Sequence, residues 1–419
     1  MPLNEPVIAV GLIESPAPVD IRLQGRYRDE TGAAVGPGVI ERTSGPLKLA
    51  PLDPKGDCFS LRATIGVCFH WQREEEQSFR GGLRLVPRPD GGVTVINDVP
   101  LETYLESVVC SEMRASSPPE LIRAHAIISR SWLLHQLRRR ASAPPAPAAP
   151  AAGGRILRWT DRQAHDGFDV CADDHCQRYQ GLGRIQSVEA QAAVRETRGR
   201  VLTFGGQPCD ARFSKCCGGI SESFATAWGD EDIPYLRPVF DGPGPRPALP
   251  LREFIERPPE TYCGQGDPEL LRQALNFYDL ATRDFFRWTV RLSVEEAGAR
   301  LREKLGLDLG RVLALEPLER GESGRIWMLR VIGDRGSREI GKELEIRRAL
   351  SETHLLSSAF VIDAEGPAGR PDSFVLRGAG WGHGVGLCQI GAAVMAGRGF
   401  DHRAILRHYY PGTEIEILY

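Results

Sequence analysis

No run of apolar residues in this 419-residue chain approaches the roughly 20 needed to span a bilayer, so an integral membrane segment is not expected. The charges give no basic excess. Fifty-two Lys and Arg face 55 Asp and Glu, a formal net charge of −3, which argues against a nucleic-acid or anionic-membrane partner. The opening "MPLNEPVIAVGLIESPAPVD" lacks both a basic leader and a long apolar core, and does not read as a signal peptide. No internal repeat is visible, which excludes a solenoid. What remains is ordinary for a globular chain of two or three domains: 42% hydrophobic and 26% charged residues.

The chain is too long to be a disulfide scaffold, although its ten cysteines make an even count. Four of them fall in two tight groups, "CADDHC" and "SKCCGG". Grouping of that kind points to metal or to reduced thiols more than to staples, and the missing signal peptide favours reduced thiols.

Along the chain, blocks of strands and blocks of helices predict an α+β fold. Residues 1–93 form a β-rich N-terminal region, in which "RATIGVCFHW", "GGLRLVPRPDGG" and "VTVIND" read as strands separated by turn residues. A helical segment follows within 94–240. In "PLETYLESVVCSEM", Leu101, Tyr104, Leu105, Val108 and Val109 recur on one helical face, with Pro100 in the first turn. The next helix is announced by "SPPE": Ser117 as cap, Pro118 in the first helical position and Glu120 closing a capping box. Residues 141–154, "ASAPPAPAAPAAGG", read as a flexible insertion. "GRVLTF" and "CDARFS" flank "GGQP" as a hairpin. A mixed region over 241–370 precedes a C-terminal part, 371–419, whose "LCQIGAAVMA" and "HRAILRHYY" read as short helices. The C-terminal region is expected to close a groove.

Three constellations could carry chemistry. Glu112 lies at the predicted end of the first helix, at the unfavourable pole of the macrodipole for a carboxylate. Partial burial there would favour the protonated form that a general acid needs, while the plain alternative is a solvated surface Glu. In "HDGFDVCADDHCQRYQG", His165, Cys171, His175 and Cys176 place four metal ligands within twelve residues. Thiolate with imidazole suits tetrahedral zinc, although adjacent His175 and Cys176 demand a sharp turn. Cys216 and Cys217 could substitute, or the loop could simply hold free thiols. Finally, in "GAGWGHGVG" the glycines 380, 382, 384 and 386 alternate with Trp381, His383 and Val385. Period-two glycine reads as a strand with one bare face, open either to a sugar or to another backbone.

Together these stretches resemble the SpoIID/LytB family of peptidoglycan lytic transglycosylases and amidase enhancers. The likeness rests on "INDVPLETYLESVVCSEM" with "AHAIISRSWLL", on "FDVCADDHCQRYQG", on "ARFSKCCGGISESFATAWGDEDIPYL", and on "GAGWGHGVGLCQIGAAVMAGRGFDHRAILRHYYPGT", and spans roughly residues 80–419. It implies cleavage of glycan strands stripped of stem peptides, with Glu112 as the single acid/base. It also nominates Arg130, Gln177, Tyr179, Gly218, Gly219, Ser221, Trp381, His383 and Gln389 for substrate binding. Structural zinc on His165, Cys171, His175 and Cys176 is implied, since some members bind zinc in the corresponding block. Partners would be peptidoglycan glycan strands or a cell-wall amidase, with no organic cofactor.

The chain departs from that family in carrying Cys216, Cys217 and Cys388 where members commonly have Ser, and in showing no N-terminal membrane anchor. The family implies a periplasmic or cell-wall location, whereas the thiols fit a reducing compartment, so the compartment stays open. Two other readings compete: a non-catalytic module that recruits an amidase, and a zinc hydrolase. The second would need an open coordination position, which a four-ligand set lacks.

Overall fold

The computed structural model describes residues 4–43, 45–66, 72–142, 155–157, 165, 167–282 and 284–419. Most of the Pro/Ala-rich insertion, and the end of "RATIGVCFHW", lie outside the described residues. The fold is α+β, with strands and helices in blocks rather than in βαβ alternation. Among the described residues no helix is long and apolar enough to cross a membrane.

The N-terminal half is built on a seven-stranded sheet. Its strand Val7–Ser15 pairs antiparallel with Val93–Pro100, from Val7↔Pro100 to Ser15↔Val93. On its other edge it pairs parallel with the short strand Val170–Cys171. Gly11 sits at that junction because a Cβ there would collide with the Phe168 ring at 2.5 Å. A four-stranded antiparallel sheet made of Gly38–Thr43, Val19–Leu23, Cys58–Ile65 and Arg73–Arg80 belongs to the same region.

Strand Val93–Pro100 runs directly into helix α1 (Leu101–Glu112). Leu101, Tyr104, Leu105, Val108 and Val109 are all fully buried, as their spacing predicts, and they join one hydrophobic core with the N-terminal sheet. Pro100 is the residue before α1 rather than part of its first turn.

Helix α2 (Pro119–Ser142) starts one residue later than expected, and without the expected capping box. The Ser117 hydroxyl donates instead to Ala274 O, and the Glu120 carboxylate is occupied by the backbone N–H and Nδ1 of His402. Tertiary partners have taken over both groups.

A second core gathers one face of the first half of α2, the Cys209–Cys217 stretch and the C-terminal helices Gln389–Gly397 and His402–Tyr409. A third lies within residues 288–376. There, helix Val294–Leu305, opened by a Ser293/Glu296 capping box, packs with the strand Val312–Arg320 and the helix Glu343–Ala349. The hairpin at 200–208 forms, but its second strand is only Gln207–Pro208; Arg200–Phe204 takes Glu414–Ile417 as its other partner.

Candidate active site

A cavity of about 460 Å³ is lined by Glu112, Asp174, His175, Cys176, Arg178, Lys215, Trp228, Trp381, His383 and Gln389, among others. Glu112 is the last residue of α1 and is buried. Its Oε1 accepts the backbone N–H of Arg178 at 2.9 Å. Beneath it lies a network of buried charge. Arg178 binds Asp174 at 2.6 Å and Asp279 at 3.2 Å, and Lys215 binds Asp279 at 3.0 Å. Lys215 Nζ also donates to the Glu112 carbonyl at 2.9 Å, occupying an acceptor that the end of α1 leaves open. Asp174 keeps 20% of its side-chain surface, yet its Oδ2 is sealed from solvent with no hydrogen-bond partner. Burial pushes this carboxyl up to about 7, against the pull of Arg178.

A second group of lining residues is aromatic. The His383 ring meets Trp228 edge-on, with centroids 4.6 Å apart, and the Arg212 guanidinium lies 3.8 Å above the Trp228 ring. Val385 N–H donates to His383 Nδ1 at 3.0 Å, so a neutral ring carries its proton on Nε2. Gln389 is almost wholly buried, and its amide reaches His125 Nε2 at 2.9 Å. Burial and nearby Lys215 push the His125 imidazole down to about 3.

The glycine stretch corrects a sequence expectation. Residues 380–386 form no continuous strand; one strand ends at Ala379 and the next covers Leu387–Cys388. Gly380, Gly382, Gly384 and Gly386 all adopt left-handed backbone, with φ from 72° to 93°. Their missing side chains mostly accommodate the protein itself. A Cβ at Gly380 would strike Cys216 O, at Gly384 the Arg325 guanidinium, and at Gly386 Arg212 O. The bare backbone makes a close crossing, and the two side chains it presents to the cavity are Trp381 and His383.

Glu112, Trp381, His383 and Gln389 thus share one cavity. Arg130, Gln177, Tyr179, Gly218, Gly219 and Ser221 do not line it. Arg130 is fully buried, forked onto Glu102 at 2.9 and 2.7 Å. Gln177 accepts from Tyr104 and donates to Ser129 O. The Tyr179 hydroxyl donates to Asn97 at 2.8 Å. Ser221 Oγ accepts from Val239 N–H at 2.7 Å. At Gly218 a Cβ would come within 2.8 Å of Gly380 N, and at Gly219 within 3.0 Å of the Phe254 ring. Each of these six is engaged with other parts of the protein. Arg178, Lys215, Asp174 and Asp279 carry the charge network without being singled out by any sequence pattern. Lys215 and Trp228 stand inside the block "ARFSKCCGGISESFATAWGDEDIPYL", but Asp279, in "NFYDL", carries no local signal.

His165, Cys171, His175 and Cys176 come together at the edge of this cavity, each with a ligand atom within 4.8 Å of the others. His165 Nε2 lies 3.2 Å from Cys176 Sγ, and His175 Nδ1 3.6 Å from it. Hydrogen bonding from Cys176, and then from both imidazoles, holds the Cys171 thiol far below its ordinary range. Thiolate is the form a metal needs, so donor types and spacing both fit a tetrahedral ion. A larger cleft, of about 1170 Å³, runs along residues 11–22, 60–64 and 74–76 to the same loop but does not include Glu112.

Residues 89–204, which carry Glu112 and all four loop ligands, match the family described as Stage II sporulation protein. Residues 222–386 match a domain of unknown function. Over 321 residues the chain is 26% identical to Stage II sporulation protein D of Bacillus subtilis (strain 168), covering 76% of this chain and 75% of that protein. The same identity and coverage hold for Stage II sporulation protein D of Bacillus amyloliquefaciens. Identity to the amidase enhancer of Bacillus subtilis (strain 168) is 22%, over 74% of this chain and 40% of that protein.

Proposed function

We propose that this chain, a member of the SpoIID/LytB family, is a lytic transglycosylase that cuts peptidoglycan glycan strands with Glu112 as its single acid/base. The observation that carries the reading is that Glu112, Trp381 and His383 line one cavity. A sugar ring stacked on the aromatic group would present its glycosidic oxygen to the carboxyl. Protonated Glu112 gives its proton to that leaving oxygen. The carboxylate so formed takes the proton of the muramic acid C6 hydroxyl as that oxygen attacks C1, leaving a 1,6-anhydro end. The internal hydroxyl replaces both water and the second carboxylate of an ordinary glycosidase. Arg178 N–H would hold the Glu112 side chain in position through both transfers, and Asp174 and Asp279 hold Arg178 in place.

His165, Cys171, His175 and Cys176 would hold a zinc ion. Four protein ligands leave no open position, so the ion would fix the loop that carries Asp174 and Arg178 rather than act on substrate.

The likeness to an amidase enhancer favours a second reading, a glycan-binding module that stimulates a cell-wall amidase. Mass analysis of denuded glycan strands incubated with the purified chain separates the two. New 1,6-anhydro ends that disappear in Glu112→Gln are expected. Strands that are bound but returned intact would leave the binding reading standing.

A further inference from the structure

Beyond the glycan site, and independent of whether Glu112 cleaves, a second group of ligands lies deep in the second core. Cys217, Asp241, Cys263 and Cys388 come from four separate segments, yet one ligand atom of each lies within 4.8 Å of all the others. All four residues are buried, Asp241 and Cys388 completely. Cys217 Sγ and Cys263 Sγ are 3.8 Å apart. A metal–sulfur bond of about 2.3 Å places the sulfurs of a tetrahedral site about 3.8 Å from one another. A disulfide would require about 2.05 Å, and all three cysteines are free.

The surroundings are built for anionic sulfur. Cys217 N–H and Gly391 N–H donate to Cys388 Sγ at 3.2 and 3.4 Å, and Gly219 N–H donates to Cys217 Sγ at 3.4 Å. Cys388 caps the helix Gln389–Gly397, at the positive end of its dipole. Neutral thiols are weak acceptors, and three backbone donors spent on two sulfurs suit thiolates. Asp241 is oriented as metal-bound carboxylates are. Its Oδ1 accepts the Tyr409 hydroxyl at 2.5 Å and its Oδ2 accepts Cys263 N–H at 2.9 Å. Among the described residues no Lys or Arg pairs with Asp241. A buried carboxylate beside thiolates, without a cation, would be strongly unfavourable.

We propose that Cys217, Asp241, Cys263 and Cys388 bind one thiophilic divalent metal ion, zinc in the cell, in a closed structural site. On binding, each thiol gives up its proton to solvent and the ion takes the three sulfurs and one carboxylate oxygen. The site sits directly behind the catalytic cavity. Cys216 and Trp381 exchange backbone hydrogen bonds at 3.0 and 2.8 Å, so the ion would clamp the crossing that presents Trp381 and His383. Cys216 lies beside the cluster but outside the four-ligand set.

Metal content of the full chain, purified without chelator under reducing conditions, tests the proposal. Two zinc equivalents are expected in the wild type and one in Cys171→Ser/Cys176→Ser, which empties the loop site alone. Grown with cobalt, that double variant should show the visible bands and sulfur-to-metal charge transfer of a tetrahedral thiolate site. Adding Cys263→Ser should abolish both the metal and the bands, while Cys216→Ser should keep them. If Cys263→Ser does not fold, Asp241→Asn serves instead, with an altered cobalt spectrum or at least tenfold weaker retention against a competing chelator. A folded Cys171→Ser/Cys176→Ser chain with no metal and no cobalt bands would overturn the proposal. So would a disulfide among residues 217, 263 and 388 found by alkylation and mass analysis in denaturant, or metal lost in Cys216→Ser but retained in Asp241→Asn.

Discussion

The two groups of residues that line the Glu112 cavity differ in what holds them. The charged group, Glu112 with Asp174, Arg178 and Lys215, is fixed by ion pairs and by the Arg178 N–H on Glu112. The aromatic group, Trp228, Trp381 and His383, is fixed by ring contacts and by a backbone crossing in which alternate residues have no side chain. Charge networks set where a proton goes, and their members act together. Ring contacts set where a sugar lies, and their members contribute separately. Substitution in the first group should therefore change turnover, and substitution in the second should change affinity.

The sharpest test is Glu112→Gln, which removes the proton and keeps the shape. Cleavage should fall by roughly 10²–10⁴-fold with glycan binding and thermal unfolding nearly unchanged. Turnover near that of the wild type would end the distinction. Next, Cys171→Ser/Cys176→Ser should lower the melting temperature more than it moves the pH optimum, because a closed metal site contributes to folding rather than to proton transfer. A shifted optimum with unchanged melting would place the metal loop in the chemistry. Within the aromatic group, Trp228→Ala should raise KM roughly tenfold with little change in kcat, the pattern of lost uniform binding. His383→Ala should have a smaller effect and leave Glu112-dependent cleavage in place. A loss of kcat equal to that of Glu112→Gln in either variant would merge the two groups.

A separate effect concerns pH and stability. His125 contacts Phe213 and Gln389, which both line the cavity. Its imidazole sits at about 3 in the fold against 6.5 when free. As pH falls below about 6.5, the unfolded chain gains a proton that the fold refuses. Stability is therefore lost on acidification, by up to about 1.4 kcal/mol per pH unit from this group. His125→Gln should flatten the dependence of denaturant midpoint on pH between 6.5 and 4, and an unchanged slope would mean that water reaches the ring.

What can be read in the sequence is whatever is local. The buried face of α1 follows from spacing within one helix, and the His165–Cys176 ligands lie within twelve residues, so both are legible in the linear chain. The Cys217/Asp241/Cys263/Cys388 cluster is not, because its members are separated by up to 171 residues and no spacing rule links them. The "GAGWGHGVG" stretch is conspicuous by composition, yet its composition does not determine its backbone. Alternating glycine fits a bare-faced strand and alternating left-handed turns equally well, and only the packing of Cys216, Arg325 and Arg212 against it decides. Arg130 and Tyr179 show the converse: polar residues in a matching block whose donors the fold consumes.

The strand Val7–Ser15 has a consequence for how the protein is made. It lies between Val93–Pro100, which leads to the helix that carries Glu112, and Val170–Cys171, which begins the loop that carries His175 and Cys176. Ala9 N–H donates to Asp169 across 160 residues of chain. During synthesis the strand leaves the ribosome long before that last partner exists. Until residue 170 is free of the exit tunnel, its outer edge offers unpaired N–H and C=O groups to any neighbour. At ribosomal speeds of about 5–20 residues per second that interval lasts on the order of ten seconds or more. A ribosome stalled after Val93–Pro100 has cleared the tunnel, but before Val170–Cys171 has, would hold a nearly complete sheet with that edge open, a template for aggregation.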